Sequence, residues 1–419
     1  MNSDKSRSLR ALDVLNFCNA GIQTGLGPFM SVFYTAARHW NPAQIGVLLA
    51  CQSLSGIFLQ SFTGHIVDES RHKQILTAAA AITVAISAAC IALIPSYPVQ
   101  IIVQLVIGLA VTVFPAATAA FALGMSDKGQ LTSRVARNES LTHFGNASFA
   151  VAAGVVGALL ALAGIFYAAA VFAAGMAAAA LFIRSDDVSY EAARGGQEDQ
   201  NSKEGENGKN DQNGQNGEKN AQRRGFRDLF RDPRILIFTG AIVLFNVSNA
   251  ATLPLVGEIL TKGHQGRSSA WEIAAAVFVA EAVMILAAIY AGRKADHWGR
   301  KPLFLLAFGF LCVRNGLSIV SHNPAYLISL QVFDGVAAAI YGVLLTLVTA
   351  DLAKGTGRFN FLQGSIQSAM GLGGFLSNLA FGALAKSAGF NASFGGLAAA
   401  AAVGGLLYQL RMPETRPDS

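Results

Sequence analysis

The sequence predicts an all-α membrane protein: twelve transmembrane helices in two pseudo-symmetric six-helix bundles. Three observations lead there. Of its 419 residues, 53% are hydrophobic and 13% charged, and the mean hydropathy is +0.43, whereas soluble domains carry about 25% charged residues. The apolar residues fall into about twelve runs of the length that crosses a bilayer, roughly 20 residues each. One polar segment divides the runs six and six. This composition excludes a soluble globular enzyme, a disordered chain and a nucleic-acid binder.

In order, the runs span residues 11–36, 43–67, 74–95, 98–123, 138–163 and 164–184, then 235–260, 270–292, 302–321, 324–350, 360–386 and 389–410. The fifth and sixth can be separated by arithmetic. Phe144 to Ile183 is forty residues without a charge. One helix of that length would reach about 60 Å, twice a hydrocarbon core of about 30 Å. It must fold back, and Gly164 marks the turn. Pro95, Pro98 and Pro324 punctuate other boundaries, as prolines do beside helix ends. The polar N-terminus leads into a long first span rather than a short apolar core with a cleavage site, so no removable leader is expected. Cys18, Cys51, Cys90 and Cys312 all lie in apolar runs and read as small buried hydrophobes.

Lysine and arginine set the orientation. With the N-terminus inside, 26 of the 31 fall on inner segments, four (Arg38, Lys262, Arg267, Lys386) on outer loops, and Arg314 within a span. Both termini are therefore expected in the cytoplasm. Trp40, Trp271 and Trp298 sit at span ends, where interfacial anchors belong. The domain organisation follows: a first bundle over 1–184, a cytoplasmic linker over 185–234, a second bundle over 235–411 and a tail over 412–419. Gly195 to Asn220 has no aliphatic residue. It cannot bury enough surface to offset chain entropy, so this stretch is expected to be a disordered tether.

The two halves repeat. An offset of 227 residues carries Gln104 and Gly108 onto Gln331 and Gly335, Asn19 onto Asn246, and Phe114 onto Tyr341. It brings Asp68 to within one residue of Asp296. Parallel repeats with the binding site at their interface are a known transporter plan. After span 8 stands Gly292-Arg-Lys-Ala-Asp296-His-Trp-Gly299-Arg300-Lys301, and after span 2 a degraded copy keeps Gly64, Asp68 and Lys73.

With these loops, twelve spans and a central linker, the chain resembles the major facilitator superfamily over its whole length except the linker and tails. The resemblance implies that the two loops latch a rocking movement between bundles. It implies that Gly64, Asp68, Lys73, Gly292, Asp296, Gly299, Arg300 and Lys301 form the gating motif, although positive-inside anchoring alone would also explain Arg300 and Lys301. Spans 1, 7, 8, 10 and 11 would border a central cavity, and span 9 would lie outside it.

An ionisable residue within the membrane is a functional hypothesis by default. Mid-span stand Glu281, Arg314 and Asp334, all in the second half. On the family's plan Arg314 should point inward and pair with Asp334 or Glu281. An Arg314–Asp334 pair could be purely structural, which leaves Glu281 the stronger candidate for reversible protonation. In span 1, Asp13, Asn16, Asn19 and Gln23 fall within one face of about 120°, a candidate substrate-facing stripe, although Asp13 could simply cap the helix. Asn246 and Asn249 repeat the idea in span 7. Gln52, Asn146, Gln363 and Gln367 are further candidates, and Phe114 and Tyr341 could stack on an organic substrate or merely pack. His143 reads first as a hydrogen-bonded structural residue, with a proton relay as the alternative. Gly154, Gly157 and the run Gly371 to Gly374 are explained by close helix packing.

No phosphate-cradling loop, His/Cys cluster at ligand spacing or Ser-His-Asp arrangement stands out. Thus no enzyme activity, cofactor, metal or nucleic-acid partner is expected. Gln104 occupies the place of the family's span-4 arginine, and the span-5 proline-glycine motif is missing. The expected function is secondary active transport of a small organic solute across a bacterial inner membrane by alternating access. Protons are the expected coupling ion, the lipid bilayer the surroundings, and a monomer the working unit. Export is favoured over uptake on family habit. An uptake permease and a transport-inactive sensor or scaffold are the alternatives.

Overall fold

The computed structural model describes residues 3–23, 26–126, 131–189, 232–263, 267–353 and 359–415. Among them every regular element is helical. In the first half run α1 (Ser3–Gln23), α2 (Leu26–Arg38), α3 (Pro42–Glu69), α4 (Lys73–Leu93), α5 (Tyr97–Val111), α6 (Val113–Met125), α7 (Leu131–Leu159) and α8 (Gly164–Phe182). In the second run α9 (Pro233–Asn249), α10 (Thr252–Gly263), α11 (Arg267–Trp298), α12 (Arg300–Leu317), α13 (Pro324–Ser329), α14 (Gln331–Ala353), α15 (Phe359–Ala388) and α16 (Phe390–Arg411). Four spans of the sequence reading are each made of two helices: α1 with α2, α5 with α6, α9 with α10, and α13 with α14.

Among the described residues, ten segments are long and apolar enough to cross a membrane. The first and ninth spans are not among them. The first half of α1 carries Asp4, Lys5, Arg7, Arg10 and Asp13, and α12 carries Arg300, Lys301 and Arg314. Most of the linker, including all of Gly195 to Asn220, lies outside the described residues.

The helix starts follow local chemistry. Proline is the first residue of α3, α9 and α13, a place where its missing N–H is not needed. Asn41 caps α3 by accepting from the Gln44 N–H at 3.1 Å, while Gln44 Oε1 accepts from the Asn41 N–H at 3.1 Å. Three of the four breaks share a device. Pro28, Pro115 and Pro254 are each the third residue of α2, α6 and α10. A proline cannot donate to the carbonyl four residues back and crowds it. At the α9/α10 break Ser377 of α15 bridges the gap: its Oγ donates to the Val247 carbonyl at 2.7 Å and accepts from the Ala251 N–H at 3.0 Å.

The core is divided unevenly. On the side away from the chain ends, called outer below, one apolar cluster joins both halves, from Phe29, Phe33 and Phe149 to Ile259, Ala274 and Phe394. On the inner side each half has its own cluster, around Phe114 and Phe121 in the first and around Phe245, Phe304 and Tyr408 in the second. The halves meet where α3 packs on α15, α7 on α11, and α2 on α10. These contacts are tightest at the outer ends. A side chain at Gly46 would meet the Asn378 carbonyl oxygen, and one at Gly382 the Pro42 carbonyl oxygen at 2.7 Å. A side chain at Gly157 would meet the Ala270 Cβ at 2.8 Å. Among the described residues, the apolar core is shared between the halves on the outer side and separate on the inner side.

Candidate functional site

Between the halves lies a cavity of about 600 Å³. Its roof is built from Gly27, Pro28, Leu253 and Pro254, so the proline breaks of the first and seventh spans close it from above. Pro115 lines it too. Glu281 and Asp334 are the only ionisable side chains among its described lining residues; the other polar groups are amides and hydroxyls, including Gln52, Ser53, Gln60, Thr112, Asn249, Gln367 and Asn378. No described lining residue is aromatic.

Asp334 stands on α14 with its side chain 15% exposed, and behind it Arg314 of α12 is 1% exposed. Arg314 Nη1 donates to Asp334 Oδ1, and Nη2 donates to Asn249 Oδ1 at 2.7 Å. Asn315 next to it donates to the Ser248 carbonyl at 2.8 Å and accepts from Thr252 Oγ1 at 3.1 Å. Together these bonds clamp α12 to both sides of the α9/α10 break. A buried guanidinium is tolerable only when paired and hydrogen-bonded in this way.

The second carboxylate joins the two halves. Glu281 Oε2 lies 2.9 Å from His143 Nδ1, and Oε1 accepts from Asn146 Nδ2 at 2.9 Å. His143 and Asn146 belong to α7, Glu281 to α11. Glu281 therefore does not share Arg314; the two carboxylates have separate partners. His143 makes the cross-half contact that its position in span 5 alone did not reveal.

The other expected site residues are placed as follows. Gln52, Asn249 and Gln367 line the cavity. Phe114 and Tyr341 do not: Phe114 is fully buried in the first half's inner core, and Tyr341 stacks on Phe245 with ring centroids 4.1 Å apart. Packing within each half has taken both aromatics. Asn246 donates to the Tyr341 hydroxyl at 2.9 Å and so ties α9 to α14. In the span-1 stripe, Asn16 is buried and donates back to the Leu12 carbonyl at 2.9 Å, and Asn19 is buried with no partner for its Oδ1. Neither belongs to the cavity wall. Asp13 pairs with Arg134 and Arg137 of α7 at 2.6 and 2.7 Å, a tie within the first half. Gln23 ends α1, but its side chain lies outside the described residues. Gln363 is half-buried on α15, and its Oε1 has no partner.

Of the gating loops, the side chains of Gly64, Asp68 and Asp296 lie outside the described residues. Lys73 is 3% exposed; its Nζ donates to the Val67 carbonyl and, at 3.0 Å, to that of Ser70, closing the end of α3. Gly292 lies within α11 with nothing close to where a Cβ would be. Gly299 has φ of 92°, the left-handed region that favours glycine, and N-caps α12. Arg300 Nε donates to Asp351 Oδ2 at 3.3 Å, and the Arg300 and Lys301 N–H groups donate to Glu414 at 2.7 and 3.1 Å. Asp351 and Glu414 went unread in the sequence, since nothing local marks a tail glutamate as the cap of a helix 114 residues earlier.

The sequence model of the Major Facilitator Superfamily matches residues 12–313 and, a second time, 250–419. The chain belongs to the major facilitator superfamily. Two uncharacterized MFS-type transporters from Mycobacterium tuberculosis, strains CDC 1551 / Oshkosh and ATCC 25618 / H37Rv, are each 36% identical over 412 residues, covering 98% of this chain and 94% of theirs. Among solved structures, a mutant of the nucleoside transporter NupG superposes with a TM-score of 0.74 at 13% identity, over 98% of this chain and 100% of that one. A D-xylose-proton symporter gives 0.71 at 13% identity, over 99% of each. At such identities the likeness establishes the fold, and the substrates belong to those proteins. This superfamily member is a multi-pass membrane transporter with two six-span halves around a central cavity.

Proposed function

We propose that this transporter is proton-coupled and moves a neutral or cationic organic solute by alternating access. One observation carries the reading: two carboxylates face the cavity, and their partners, Arg314 and His143, are not part of its described wall. A solute in the cavity meets amides, hydroxyls and negative charge. A sugar phosphate or other strong anion would need cations on the wall. The described lining has no aromatic side chain on which a planar ring could stack. The fold shared with a D-xylose-proton symporter supports proton coupling by analogy.

Glu281 is the coupling residue in this reading. It links the halves through His143, so a change in its protonation alters a contact that rocking must break. Asp334, held by Arg314 and Asn249, is the second candidate. The Lys and Arg distribution supports both termini on the cytoplasmic side of a bacterial inner membrane, residues 185–234 as a tether, and two bundles over 1–184 and 235–411. Export is the direction carried over from the family resemblance.

A thermal-stabilisation screen of neutral, cationic and anionic solutes identifies the ligand class, since a ligand of the folded form raises Tm. Stabilisation by anions alone would sink the substrate reading. The stabilising solute is then followed in proteoliposomes with and without a pH gradient. Equal flux in both removes proton coupling. Glu281→Gln and Asp334→Asn, made separately, assign the carrier: one of them should abolish gradient-driven flux while exchange without a gradient survives. Net accumulation in inside-out vesicles supports export, and accumulation in right-side-out vesicles reverses it.

A further inference from the structure

Glu258, on α10, is a buried acid that the cavity does not use. It is 2% exposed, and its Oε2 has no hydrogen-bond partner. No hydrogen bond or ion pair reaches it from any described residue. Pro254, one turn nearer the centre, lines the cavity roof. Gly257, its neighbour in sequence, rests against α2: a side chain there would meet Ser31 Oγ at 2.6 Å and the Pro28 carbonyl oxygen at 3.2 Å. Glu258 thus rides on the short helix that begins at a proline break and closes the cavity against the first half.

Of the charged groups described on the elements around it, Lys262 acts on Glu258 through its charge but forms no ion pair with it. Lys262, one turn further out, places its ammonium 4.6 Å from the Phe390 ring centroid. On α2, Tyr34 donates to Gln100 Oε1 at 2.9 Å, and Arg38 donates to the Ala92 carbonyl at 2.9 Å. On α11 stand Glu272 and Glu281, the latter held by His143 and Asn146. The only charged residue of α9, Arg234, and of α16, Arg411, sit at their inner ends. A carboxylate left without a partner in such a place costs several kcal/mol, and a neutral acid far less.

We propose that Glu258 is a proton-binding residue of the outer gate. It holds a proton while α10 is docked on α2, and it releases that proton to outer water when α10 swings away and the carboxyl becomes hydrated. Closing the outer gate takes up one proton, so low pH favours the closed gate and high pH the open one. This rests on the alternating-access reading but not on which residue couples solute flux.

The experiment is a distance measurement between spin labels on cysteines placed at Ser96 and Ala388, both exposed at the outer surface, with the four native cysteines replaced. The full chain is held in nanodiscs without solute. In the parent, the ratio of open to closed outer mouths should rise by about ten-fold or more between pH 5.5 and 8.5. Glu258→Gln should keep the short distance at both pH values, and Glu258→Asp should retain the response. Glu258→Leu, an apolar group in an apolar seal, should fold and stay closed at both. A parent that does not respond to pH, or a Gln or Leu variant that responds like the parent, overturns the proposal. Because no solute or gradient is present, loss of the gate response and loss of proton-driven flux are read independently.

Discussion

The two halves share a backbone plan and differ in chemistry. The offset that carries Asn19 onto Asn246 places Ser87 at the position of Arg314 and Ile107 at that of Asp334. It also carries Lys73 onto Arg300, Gly124 onto Asp351 and Asp187 onto Glu414. The second half has a buried ion pair at its cavity wall and a second one, Arg300–Asp351, at its inner edge. The first half has a serine and an isoleucine at the former place. At the latter, Lys73 is held by the carbonyls of Val67 and Ser70 at the end of α3, and Asp187 accepts from Ser8 Oγ at 2.6 Å. The duplicated frame can therefore move symmetrically while one half supplies the charge. The first half supplies amides and hydroxyls to the wall, with His143 and Asn146 reaching across to a second-half carboxylate.

Exchanging chemistry between the halves tests this directly. The largest effect is expected from Asp334→Leu, which leaves the 1%-exposed Arg314 without its carboxylate. Loss of about 3–5 kcal/mol is expected, seen as low yield and a lowered Tm. Arg314→Ser combined with Asp334→Ile imports the first half's residues, removes the stranded charge and should recover most of the stability. If the double variant is as unstable as the single one, the pair is more than mutually compensating charge. Next, Gly46→Leu forces a side chain into the α15 backbone at the outer seal. Overpacking of this kind costs about 1–3 kcal/mol, and the spin-label distance across the outer mouth should lengthen. An unchanged distance would mean the outer ends are not the seal. Asp351→Asn should weaken the inner edge of the second half by about 1–3 kcal/mol, whereas Gly124→Asp should not create a matching pair, because Lys73 is already taken. The smallest effect lies outside the membrane. Asp232 caps α9 and is held below the usual carboxylate range by hydrogen bonds from Arg234. Its contribution is therefore present above that range and lost as pH falls through it. Asp232→Ala should lower stability by about 1 kcal/mol at neutral pH and by nothing measurable in strong acid.

Much of the fold was legible because a bilayer makes length and charge decisive. Forty uncharged residues had to turn back, and α7 and α8 do so around residues 160–163. The Arg314–Asp334 contact was legible too, since two charges on consecutive spans have few other partners. What could not be read was which face of a helix meets which neighbour. Phe114 and Tyr341 are mid-span aromatics, yet each half's own core absorbed them. The span-1 amides share a face, but Asn16 turns back on its own helix. His143 found Glu281 only because α7 crosses α11, a contact between residues 138 apart. Glu258 escaped notice because it lies close to a span end, where an acid ordinarily reaches water.

The uneven division of the core bears on how the protein is made. Each half owns its inner cluster, so each can settle that part as soon as its six spans are inserted. The outer cluster needs Phe149 and Ile259 together, and so cannot be completed until synthesis has passed the second half. Two separately translated fragments, 1–184 and 235–419, should accordingly find one another in the same membrane by zipping along the outer face. Neither fragment alone should resist proteolysis there.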